Sequence, residues 1–493
     1  MEIYKNFIGG KWVESVTGDT FETVNPATGE IVSVVTRSNS VDVQKAVDAA
    51  RAAYDDWRRT PAPVRGEIVM KISRAVEENK EKLARMITME MGKVLAEARG
   101  DVQEAIDVAF YFAGEGRRLF GQTIPSELFN KSCMTVRDPL GVVAAITAWN
   151  FPIAVPMWKI IPAILAGNTV IFKPASAVAG TAAELVKVLA EAGVPAGVVN
   201  LILGPGSLAG EAIVDNPGIN AISFTGSTGI GTQLGSRAAD LNKRVSLEMG
   251  GKNAIIVMDD ADIDLAVDGI IWSAYGTTGQ RCTACSRVIV HEAVKDQLIE
   301  KMLPRIKSLQ LGNGLDPAVD VGPVINSKQL ESIDEYVQIG KAEGAKLLLG
   351  GDSTTEGDLA KGTFYLPSLF VDVTPNMRIA QEEIFGPVLS VISVSSLDEA
   401  IRVNNNTQYG LSSSIYTSNI NKAYTAMREI TTGILYVNAG TIGAEVHLPF
   451  GGTRGTGNGH REVGQAAFEF FTEWKAIYID FSGKLQRAQI DNR

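Results

Sequence analysis

Apolar residues recur along this chain in two different patterns. Between residues 40 and 120 they recur every three or four positions within runs rich in Ala, Glu, Lys and Leu. This spacing predicts two or three amphipathic helices that cover one face of a sheet. From Val142 onward, short apolar runs alternate with helical stretches. Strands that alternate with helices at this pitch are typical of βαβ units, so the second pattern predicts a parallel sheet.

The alternating part of the chain divides into two blocks, with a boundary expected near Gly250 and Gly251. The first block predicts strands at 142–147, 169–173, 198–203 and 221–224, and helices at 158–166, 181–192, 207–214 and 228–239. The second block predicts strands at 253–258, 286–290 and 345–349, helices at 264–275, 295–308 and 327–343, a glycine-rich loop at 450–459 and an edge strand at 476–481. Before both blocks, the Gly9-Gly10 pair between apolar residues predicts a hairpin.

The stretch from Val142 to Phe172 is apolar enough to be tested as a membrane span, since its only charged residue is Lys159. A spanning helix needs roughly 20 largely uninterrupted apolar residues. Asn150, Gly167 and three prolines interrupt this stretch, which is therefore predicted to be the buried interior of a large domain. The first residues contain no basic segment followed by an apolar one, so no signal peptide is expected.

Composition narrows the class of protein further. A chain of 493 residues exceeds what one hydrophobic core usually organises, which predicts two or more lobes. A net charge of -10 argues against a nucleic-acid-binding surface. Three cysteines are too few for a disulfide framework, and we therefore expect a reducing, cytoplasmic location.

Cys282 and Glu248 are the strongest candidates for chemistry. Cys282 lies in Gly-Gln-Arg-Cys-Thr, between a predicted helix and a predicted strand, and it follows Glu248 by 34 positions. A loop cysteine of this kind is either a nucleophilic thiolate or an inert residue, and Glu248 would serve the first as a base. Arg281 would favour the thiolate electrostatically if its side chain turned towards the sulfur.

Cys285 completes a C-x-x-C motif with Cys282, which raises the question of a metal or redox site. No second cysteine pair is present, and the chain has only three histidines, His291, His447 and His460. A four-ligand metal site is therefore poorly supplied, and none is predicted. None of the histidines lies in a recognisable motif, so a Cys-His hydrolase is also disfavoured.

Polar residues follow several of the buried strands in the first block. Asn150 ends one strand, where its amide could stabilise an oxyanion or simply form a turn before Phe-Pro. Lys173 and Ser176 follow the next strand, where a lysine is either a phosphate contact or a solvated strand end. Glu383 lies in Glu-Glu-Ile-Phe-Gly-Pro and could hold a ribose or be ordinary surface charge.

Two glycine-rich turns are candidates for binding a pyrophosphate. Phe224-Thr-Gly226-Ser227-Thr-Gly lies between a predicted strand and a predicted helix, where backbone amides can hold phosphate. Gly204-Pro-Gly206 occupies the equivalent place one unit earlier. Neither turn has the strict G-x-G-x-x-G spacing, so ordinary βα turns remain an alternative at this point.

Seven short motifs occur in a fixed order over nearly the whole chain. They are Thr147-Ala-Trp149-Asn150-Phe-Pro, Phe172-Lys173-Pro-Ala, Phe224-Thr-Gly-Ser-Thr-Gly, Leu247-Glu248-Met-Gly-Gly-Lys-Asn, Gly279-Gln-Arg-Cys282, Glu382-Glu383-Ile-Phe-Gly-Pro and Pro449-Phe450-Gly-Gly. Each motif alone is weakly specific, whereas their common order and separations are highly specific. Together they resemble the aldehyde dehydrogenase superfamily.

The resemblance implies a two-step oxidation of an aldehyde. Cys282 would attack the aldehyde as a thiolate, and the oxyanion would be held by the Asn150 amide and the backbone N-H of Cys282. After hydride transfer to the nicotinamide, Glu248 would activate the water that hydrolyses the thioester. Lys159 and Glu462 match residues that relay protons away from this base.

The remaining positions of the family pattern fall into two groups. The positions implied to contact the cofactor are Thr147, Trp149, Lys173, Ser176, Gly206, Gly226, Ser227, Glu383 and Phe385. The positions implied to line the substrate tunnel are Phe151, Trp158, Arg281 and Phe450.

Two of these positions bear on specificity. NAD-preferring members carry an acidic residue where this chain has Ser176, and serine leaves room for a 2′-phosphate beside Lys173. NADP is therefore expected to be preferred, with NAD also used. Gly-Gln-Arg-Cys-Thr resembles the branch that oxidises aminoadipate and oxoglutarate semialdehydes, in which Arg281 would pair with a substrate carboxylate. Alternatively, Arg281 is structural and the enzyme accepts simple aldehydes.

The expected architecture is α/β, with a Rossmann-like dinucleotide-binding domain at 1–120 and 140–250, a catalytic domain at 251–455, and a small β flap for oligomerisation at 121–139 and 470–493. We expect a homo-oligomer, either a dimer or a tetramer, that binds a small aldehyde and neither nucleic acid nor membrane. A CoA-acylating aldehyde dehydrogenase would share Cys282 but is expected to lack Glu248. A non-catalytic protein with this fold is the other alternative, although the catalytic residues of such a protein would be expected to have been replaced.

Overall fold

The computed structural model describes residues 3–491 and confirms the predicted α/β fold. Two seven-stranded, mostly parallel sheets form the two lobes, and two three-stranded sheets lie beside them. The strands of the described residues, β1 to β20 in chain order, are Ile3–Tyr4, Asn6–Ile8, Lys11–Val13, Thr20–Val24, Ile31–Thr36, Gln122–Pro125, Lys131–Pro139, Val142–Ile146, Thr169–Lys173, Val199–Leu201, Ala221–Thr225, Arg244–Glu248, Asn253–Val257, Cys285–His291, Lys346–Leu349, Ser368–Val371, Val388–Val394, Ser412–Tyr416, Ile434–Val437 and Thr472–Asp480.

The α-helices of the same residues are numbered α1 to α15 in chain order. They are Ser40–Arg59, Ala62–Glu78, Lys80–Met91, Leu95–Glu115, Ala154–Ala166, Ala179–Glu191, Glu211–Asp215, Thr228–Asp240, Ile263–Tyr275, Lys295–Lys307, Ser327–Ala342, Arg378–Gln381, Leu397–Asn405, Ile420–Glu429 and Ala467–Phe471. Short 3₁₀ or π turns precede or follow several of them.

The first sheet has the strand order β12-β11-β8-β9-β10-β2-β3. Its five strands from β12 to β10 are parallel, and β2 and β3 form the predicted antiparallel hairpin around Gly9 and Gly10, both with positive φ. The chain builds β8, β9 and β10 in one direction and then returns to place β11 on the other side of β8. The carboxyl ends of β8 and β11 therefore flank the crevice where ligands bind in open α/β sheets.

The helices before the first sheet differ from the prediction in number and position. Four helices form rather than two or three, because Pro61 ends the first helix, Asn79 separates the second from the third, and Gly92 ends the third with a φ of 94°. Helix α1 packs on one face of the sheet, with Val47 in the same core cluster as Ile222. Helices α2 to α4 pack on α5 and α6 over the opposite face.

The apolar stretch around α5 is buried, as predicted. The helix begins at Ala154 rather than at residue 158, because Pro156 falls in its first turn, where a missing N-H costs nothing. All thirteen residues of α5 are buried, including Lys159. Among the residues from 3 to 491, no helix is both long and apolar enough to cross a membrane.

The second sheet has the strand order β15-β16-β17-β14-β13-β18-β19, and only β15 is antiparallel to its neighbour. Its central strands β13 and β14 begin at Asn253 and Cys285, immediately after the segments that carry Glu248 and Cys282. The first lobe thus contributes the carboxyl ends of its strands to the crevice, and the second lobe contributes the segments that enter its strands.

A three-stranded antiparallel sheet of the order β20-β7-β6 lies outside both lobes. Strand β20 begins at Thr472, earlier than the predicted 476, and is an edge strand as predicted. It pairs with β7 from Thr472 opposite Pro139 to Asp480 opposite Lys131. This pairing joins the late part of the chain to the segment between α4 and the first sheet.

Candidate active site

A cavity of about 820 Å³ lies where the loops of the two lobes meet. It is lined by every residue that the sequence singled out for the site except Lys159, which lies behind the cavity wall. The cavity therefore brings together segments that are separated by up to several hundred positions in the sequence. It has a cofactor end, formed by the segments after β9 and β11, and a substrate end, formed by α4, α5 and the loop before Cys282.

The loop that carries Cys282 is fixed by buried hydrogen bonds. Thr277 and Thr278 adopt φ values of 52° and 59°, in the left-handed region, and turn the chain sharply after α9. Gln280 is fully buried and accepts a hydrogen bond from the backbone N-H of Ile325 at 2.9 Å. The carbonyl of Cys282 accepts one from the side-chain amide of Asn253 at 2.7 Å. The sulfur is thus presented on a rigid turn.

Asn150 lies directly against this loop. Its side chain is buried, and its Nδ2 donates to the carbonyl of Gln280 at 3.1 Å. An amide nitrogen carries two N-H groups, so one remains for a substrate oxygen. Gln280 lies in a motif quoted from the sequence, but its anchoring role was not foreseen because burial cannot be read from that motif.

Several groups act on the acidity of Cys282. Burial raises the pKa of its thiol, and the carboxylates of Glu248 and Glu383 raise it further, whereas backbone N-H groups of Thr283 and Cys282 lower it. The guanidinium of Arg281 is instead bonded to other protein groups. The thiol therefore stays protonated until a base accepts its proton.

Glu248 ends β12 with its side chain buried. Its Oε1 packs on Gly451, where a Cβ would approach to 2.5 Å, and has no hydrogen-bond partner among the described residues. Burial raises the pKa of Glu248 well above its ordinary value, with a further rise caused by the neighbouring carboxylate of Glu462. A carboxylate with a raised pKa accepts a proton more readily than an ordinary one, as a general base requires.

A buried polar cluster lies behind Glu248. Lys159 forms an ion pair with Glu462 and donates to the hydroxyl of Ser223 at 3.0 Å. Ser223 in turn donates to Glu462 Oε1 at 3.2 Å, and Glu462 Oε2 has no partner among residues 3–491. The cluster lies next to Glu248 and can exchange a proton with it.

At the cofactor end, Lys173 closes β9 and donates to the carbonyl of Pro174 at 2.8 Å. Burial lowers the pKa of Lys173 to about 8. Ser176 donates to the carbonyl of Gly204 at 3.2 Å, and Gly206 begins a π-helical turn nearby. A lysine and a hydroxyl therefore share one wall of the cavity.

The opposite wall of the cofactor end is the start of α8. Gly226 precedes it, and a Cβ there would lie 2.5 Å from the ring of Phe224. Ser227 is the residue before the helix, and its side chain makes no capping hydrogen bond. The start of the helix therefore borders the cavity at Ser227 without a side-chain cap, which fits a negatively charged pyrophosphate.

Glu383 and Phe385 approach from the second lobe. Glu383 accepts from the backbone N-H of Gly251 at 3.0 Å, and burial raises its pKa to about 7. Phe385 has a φ of 58° and lies edge-on to Trp149, with ring centroids 5.4 Å apart. Lys252, which the sequence did not single out, is buried with no partner for its ammonium among the described residues, and it lowers the pKa of Glu383.

Thr147 follows β8 and is buried at the same end. With Lys173, Ser176, the start of α8 and Glu383, it completes a set of donors and acceptors that suits phosphates and riboses. A nicotinamide dinucleotide thus fits this end of the cavity.

At the substrate end, aromatic rings line the cavity. Trp158 and Phe450 lie with their centroids 4.6 Å apart. The Arg281 guanidinium is 5.3 Å from the centre of the Phe151 ring. Arg281 also donates to Thr277 Oγ1 at 2.8 Å and forms an ion pair with Glu97 at 3.2 Å. Arg281 is therefore held by its neighbours while still reaching the cavity.

Charged residues of α4 and the segment before it were missed from the sequence. Lys93 and Asp101 form a fully buried ion pair at 3.1 Å, and Glu104 lines the cavity. Glu97, Asp101 and Glu104 recur at spacings of four and three, so they share one face of the helix. That spacing was the available signal, but on a helix predicted to be amphipathic it is typical of a solvated face.

The three cysteines at 133, 282 and 285 are free thiols. Cys285 is buried, and its Sγ lies 3.4 Å from the carbonyl of Arg287. Within residues 3–491, no group of three or more His, Cys, Asp or Glu side chains is arranged to hold a metal ion.

Comparison with known proteins agrees with this geometry. Residues 12–477 match the model of the aldehyde dehydrogenase family. The chain is 43% identical over 477 residues to the alpha-ketoglutaric semialdehyde dehydrogenase of Bacillus subtilis, covering 97% of this chain and 98% of that one. It is 44% identical over 480 residues to the alpha-ketoglutarate semialdehyde dehydrogenase of Haloferax volcanii, covering 97% and 99%.

The fold also closely matches that of solved structures. The structure of betaine aldehyde dehydrogenase from Staphylococcus aureus in complex with NAD+ superposes with a TM-score of 0.95 at 34% identity, covering 98% of this chain and 96% of that one.

Proposed function

This chain belongs to the aldehyde dehydrogenase family, which confirms the resemblance, and we propose that it oxidises a carboxylate-bearing semialdehyde with Cys282 as nucleophile and Glu248 as base. It is an NAD(P)-dependent aldehyde dehydrogenase. The observation that carries the proposed residue roles is the convergence of Cys282, Asn150 and Glu248 on one cavity.

The first step requires a thiolate at Cys282. Glu248 as a carboxylate raises the pKa of the thiol, and its own pKa is raised by burial, so transfer of the thiol proton to this carboxyl removes the repelling charge. The sulfur then bonds to the aldehyde carbon, and the carbonyl oxygen becomes an oxyanion. The second N-H of the Asn150 amide and the backbone N-H of Cys282 stabilise that oxyanion.

The bound nicotinamide supplies the acceptor for the hydride that leaves the substrate carbon. The acyl group then remains bonded to Cys282 as a thioester. Before hydrolysis, Glu248 passes on the proton that it took from the thiol and becomes a carboxylate again. It then accepts a proton from water, the hydroxide attacks the thioester carbon, and this proton returns to the departing sulfur as the carboxylic acid and the Cys282 thiol are released. The carboxylate of Glu462 receives the thiol proton from Glu248, because it lies beside Glu248 in the buried polar cluster, where Lys159 forms an ion pair with it.

Lys173, Ser176, Gly206, Ser227 and Glu383 are proposed to hold the cofactor. Ser176 and Lys173 share one wall, so a 2′-phosphate would meet a hydroxyl and an ammonium rather than a carboxylate. NADP is therefore proposed to be preferred, with NAD also used.

The substrate class follows from two facts. Two relatives of this chain carry the name of alpha-ketoglutarate semialdehyde dehydrogenase, and Arg281 brings a cation to the substrate end. We propose that this cation receives the carboxylate of a short semialdehyde such as alpha-ketoglutarate semialdehyde.

A homo-oligomer is also proposed. The sheet of β6, β7 and β20 with the segment after it exposes large apolar side chains, and Trp474, Tyr478 and Phe481 are 50%, 67% and 63% exposed. Such a concentration of exposed apolar residues suits burial against a second copy. Particle mass in solution tests this point, and a monomer would contradict it. A cytoplasmic location is proposed because Cys282 must remain a reduced thiol.

The proposed reaction is tested with purified protein and NAD or NADP separately. One acid and one reduced cofactor should form for each alpha-ketoglutarate semialdehyde consumed, without added coenzyme A. Turnover that requires coenzyme A, or no oxidation of any aldehyde, would contradict the proposal.

A further inference from the structure

The substrate end of the cavity contains one carboxyl group that is not part of an ion pair. Lys93 pairs with Asp101 at 3.1 Å, and Arg281 pairs with Glu97 at 3.2 Å, so these four charges cancel in two pairs. Glu104 lines the cavity on the same helix face as Glu97 and Asp101. No hydrogen bond or ion pair joins Glu104 to another of the described residues. It is therefore the one carboxyl of this cluster left to face a substrate.

The balance of nearby charges decides whether the carboxyl group of Glu104 is ionised or protonated. With both pairs neutral, an ionised Glu104 would leave a net negative charge in a largely desolvated site, which is costly. Burial, followed by the charge of Asp101, raises the pKa of Glu104 to about 8, with Asp107 adding to the rise and Arg281 and Lys93 opposing it. At neutral pH the group is then a carboxylic acid.

Strand β19 also brings a titratable side chain close to Glu104. Tyr436 of β19 feels the charge of Glu104, and burial together with that charge raises the pKa of Tyr436 to about 12. Glu445 acts on Tyr436 in the same direction. Tyr436 is therefore a neutral phenol over the pH range in which Glu104 titrates, and it brings no positive charge that would favour the ionised form of Glu104.

We propose that Glu104 is a specificity-determining residue that, as a neutral acid, donates a hydrogen bond to the distal carboxylate of the substrate while Arg281 supplies the positive charge. The inference rests on the proposed carboxylate-bearing substrate. A protonated carboxyl is a strong donor to a carboxylate, and hydrogen bonds of this type are short and strong. Arg281 alone is already paired with Glu97, which leaves the substrate's charge in need of a second partner.

The arrangement makes substrate selection depend on pH. When Glu104 loses its proton, the donor becomes a second negative charge that faces the substrate carboxylate. The kcat/KM for a semialdehyde acid should then fall about tenfold for each pH unit above the pKa of Glu104, because kcat/KM reports ionisation of the free enzyme. A neutral aldehyde should not show this additional fall.

The test uses two aldehydes of equal chain length, 5-oxopentanoate and pentanal, with saturating cofactor between pH 6 and 10. The quantity measured is the ratio of their kcat/KM values at each pH. Titration of Cys282 or Lys173 affects both aldehydes alike and cancels in the ratio. In the wild-type enzyme the ratio should be constant up to about pH 8 and then fall.

Variants of Glu104 distinguish the effect of its hydrogen-bond donor from the effect of its negative charge. In Glu104→Gln the amide still donates but cannot ionise, so the ratio should stay nearly constant across the whole range. In Glu104→Ala the donor is lost, and the ratio at neutral pH should drop roughly tenfold or more. The matched control is Asp107→Asn, an exposed acid one turn later on α4 that does not line the cavity. It should retain the fall at high pH.

Circular dichroism and thermal melting of each variant check that the fold is intact. A wild-type ratio that does not change with pH, or a fall that persists in Glu104→Gln, would overturn the role of Glu104 while leaving aldehyde oxidation by Cys282 in place. If the enzyme oxidised neither aldehyde with either cofactor, the proposed function itself would fail.

Discussion

The cofactor end and the substrate end of the cavity are built in different ways. At the cofactor end, functional groups follow directly from strand ends: Lys173 closes β9 and Ser227 begins the helix after β11. At the substrate end, Arg281 depends on Glu97, which lies 184 positions away in the sequence. At the first end Lys173 and Lys252 are buried without an ion-pair partner among the described residues, whereas at the second end Lys93 and Arg281 are each paired with a carboxylate.

This difference has a physical origin. A dinucleotide presents phosphates and hydroxyls that backbone N-H groups and a few side chains can satisfy, and parallel strands deliver those groups to one edge. A short charged substrate requires buried counter-charges, which are stable only when their own charges are balanced. Changes at one end should therefore leave the other end largely intact, and the following experiments test that separation.

The largest effect is expected for Cys282→Ala, which removes the nucleophile between the two ends. Aldehyde oxidation should fall by at least roughly ten-thousandfold, since loss of a covalent nucleophile has effects of this size. Cofactor binding, measured by quenching of tryptophan fluorescence, should persist. Cys285→Ala is the control, because Cys285 is buried away from the cavity and its loss should spare turnover. Substantial turnover by Cys282→Ala would remove the proposed mechanism.

Glu248→Gln should slow the steady state by about a hundredfold to a thousandfold, because it removes a general base. A pre-steady-state burst of reduced cofactor should remain but form more slowly, because Glu248 also accepts the thiol proton in the first step, and release of acid should become the slowest step. Rapid-quench measurement of the acid checks this. An undiminished steady state would show that Glu248 is not the base, and rescue of turnover by coenzyme A would indicate acyl transfer in its place.

Arg281→Met should destabilise the fold, because it leaves Glu97 as an unpaired buried charge. Breaking such a pair costs about 3 kcal/mol, which urea denaturation can measure. The double variant Arg281→Met with Glu97→Gln should recover most of that loss. Cofactor affinity should change little in either variant. If the single variant were as stable as the wild type, the pair would not be structural in the way described.

Ser176→Glu acts at the cofactor end alone. A carboxylate beside Lys173 should repel a 2′-phosphate and accept hydrogen bonds from ribose hydroxyls. The ratio of kcat/KM for NADP to that for NAD should fall by roughly tenfold to hundredfold, since one charge contact is worth about 1.5–3 kcal/mol. The ratio of rates for 5-oxopentanoate and pentanal should stay constant. An unchanged cofactor ratio would contradict the role of Ser176.

The smallest effect is expected when the pH is changed and the affinity for the cofactor is measured. Lys173, with its pKa lowered to about 8, loses its positive charge as the pH rises through that value. Glu383, with its pKa raised to about 7, becomes a carboxylate only above that value. Affinity for the cofactor should therefore be highest between about pH 7 and pH 8 and fall a few-fold on either side of this range. Titration of cofactor binding across pH checks this, and Lys173→Met should lose the alkaline decline.

The sequence alone predicted the elements whose signal is local. Strand β9 was predicted from residue 169 to residue 173, as observed, because four apolar or β-branched residues followed by Lys173 lie between turn signals. The Gly9-Gly10 hairpin was predicted for the same reason. The start of α5 was predicted too late, because Pro156 was taken as an interruption although it lies in the first turn of the helix. The number of helices between residues 40 and 120 was wrong, because the breaks at Pro61, Asn79 and Gly92 were not all recognised.

The sequence by itself thus determined the alternation of elements and the family, and it singled out Cys282, Glu248 and Asn150 as candidate site residues, since these are carried by short motifs and their order. Only the tertiary structure decided which charged residues are buried. Lys93, Glu97, Asp101 and Glu104 have the spacing of a solvated helix face, yet the first three are buried and Glu104 is half-buried, because α4 packs against α5. Burial depends on contacts between distant segments, and no local spacing records such contacts.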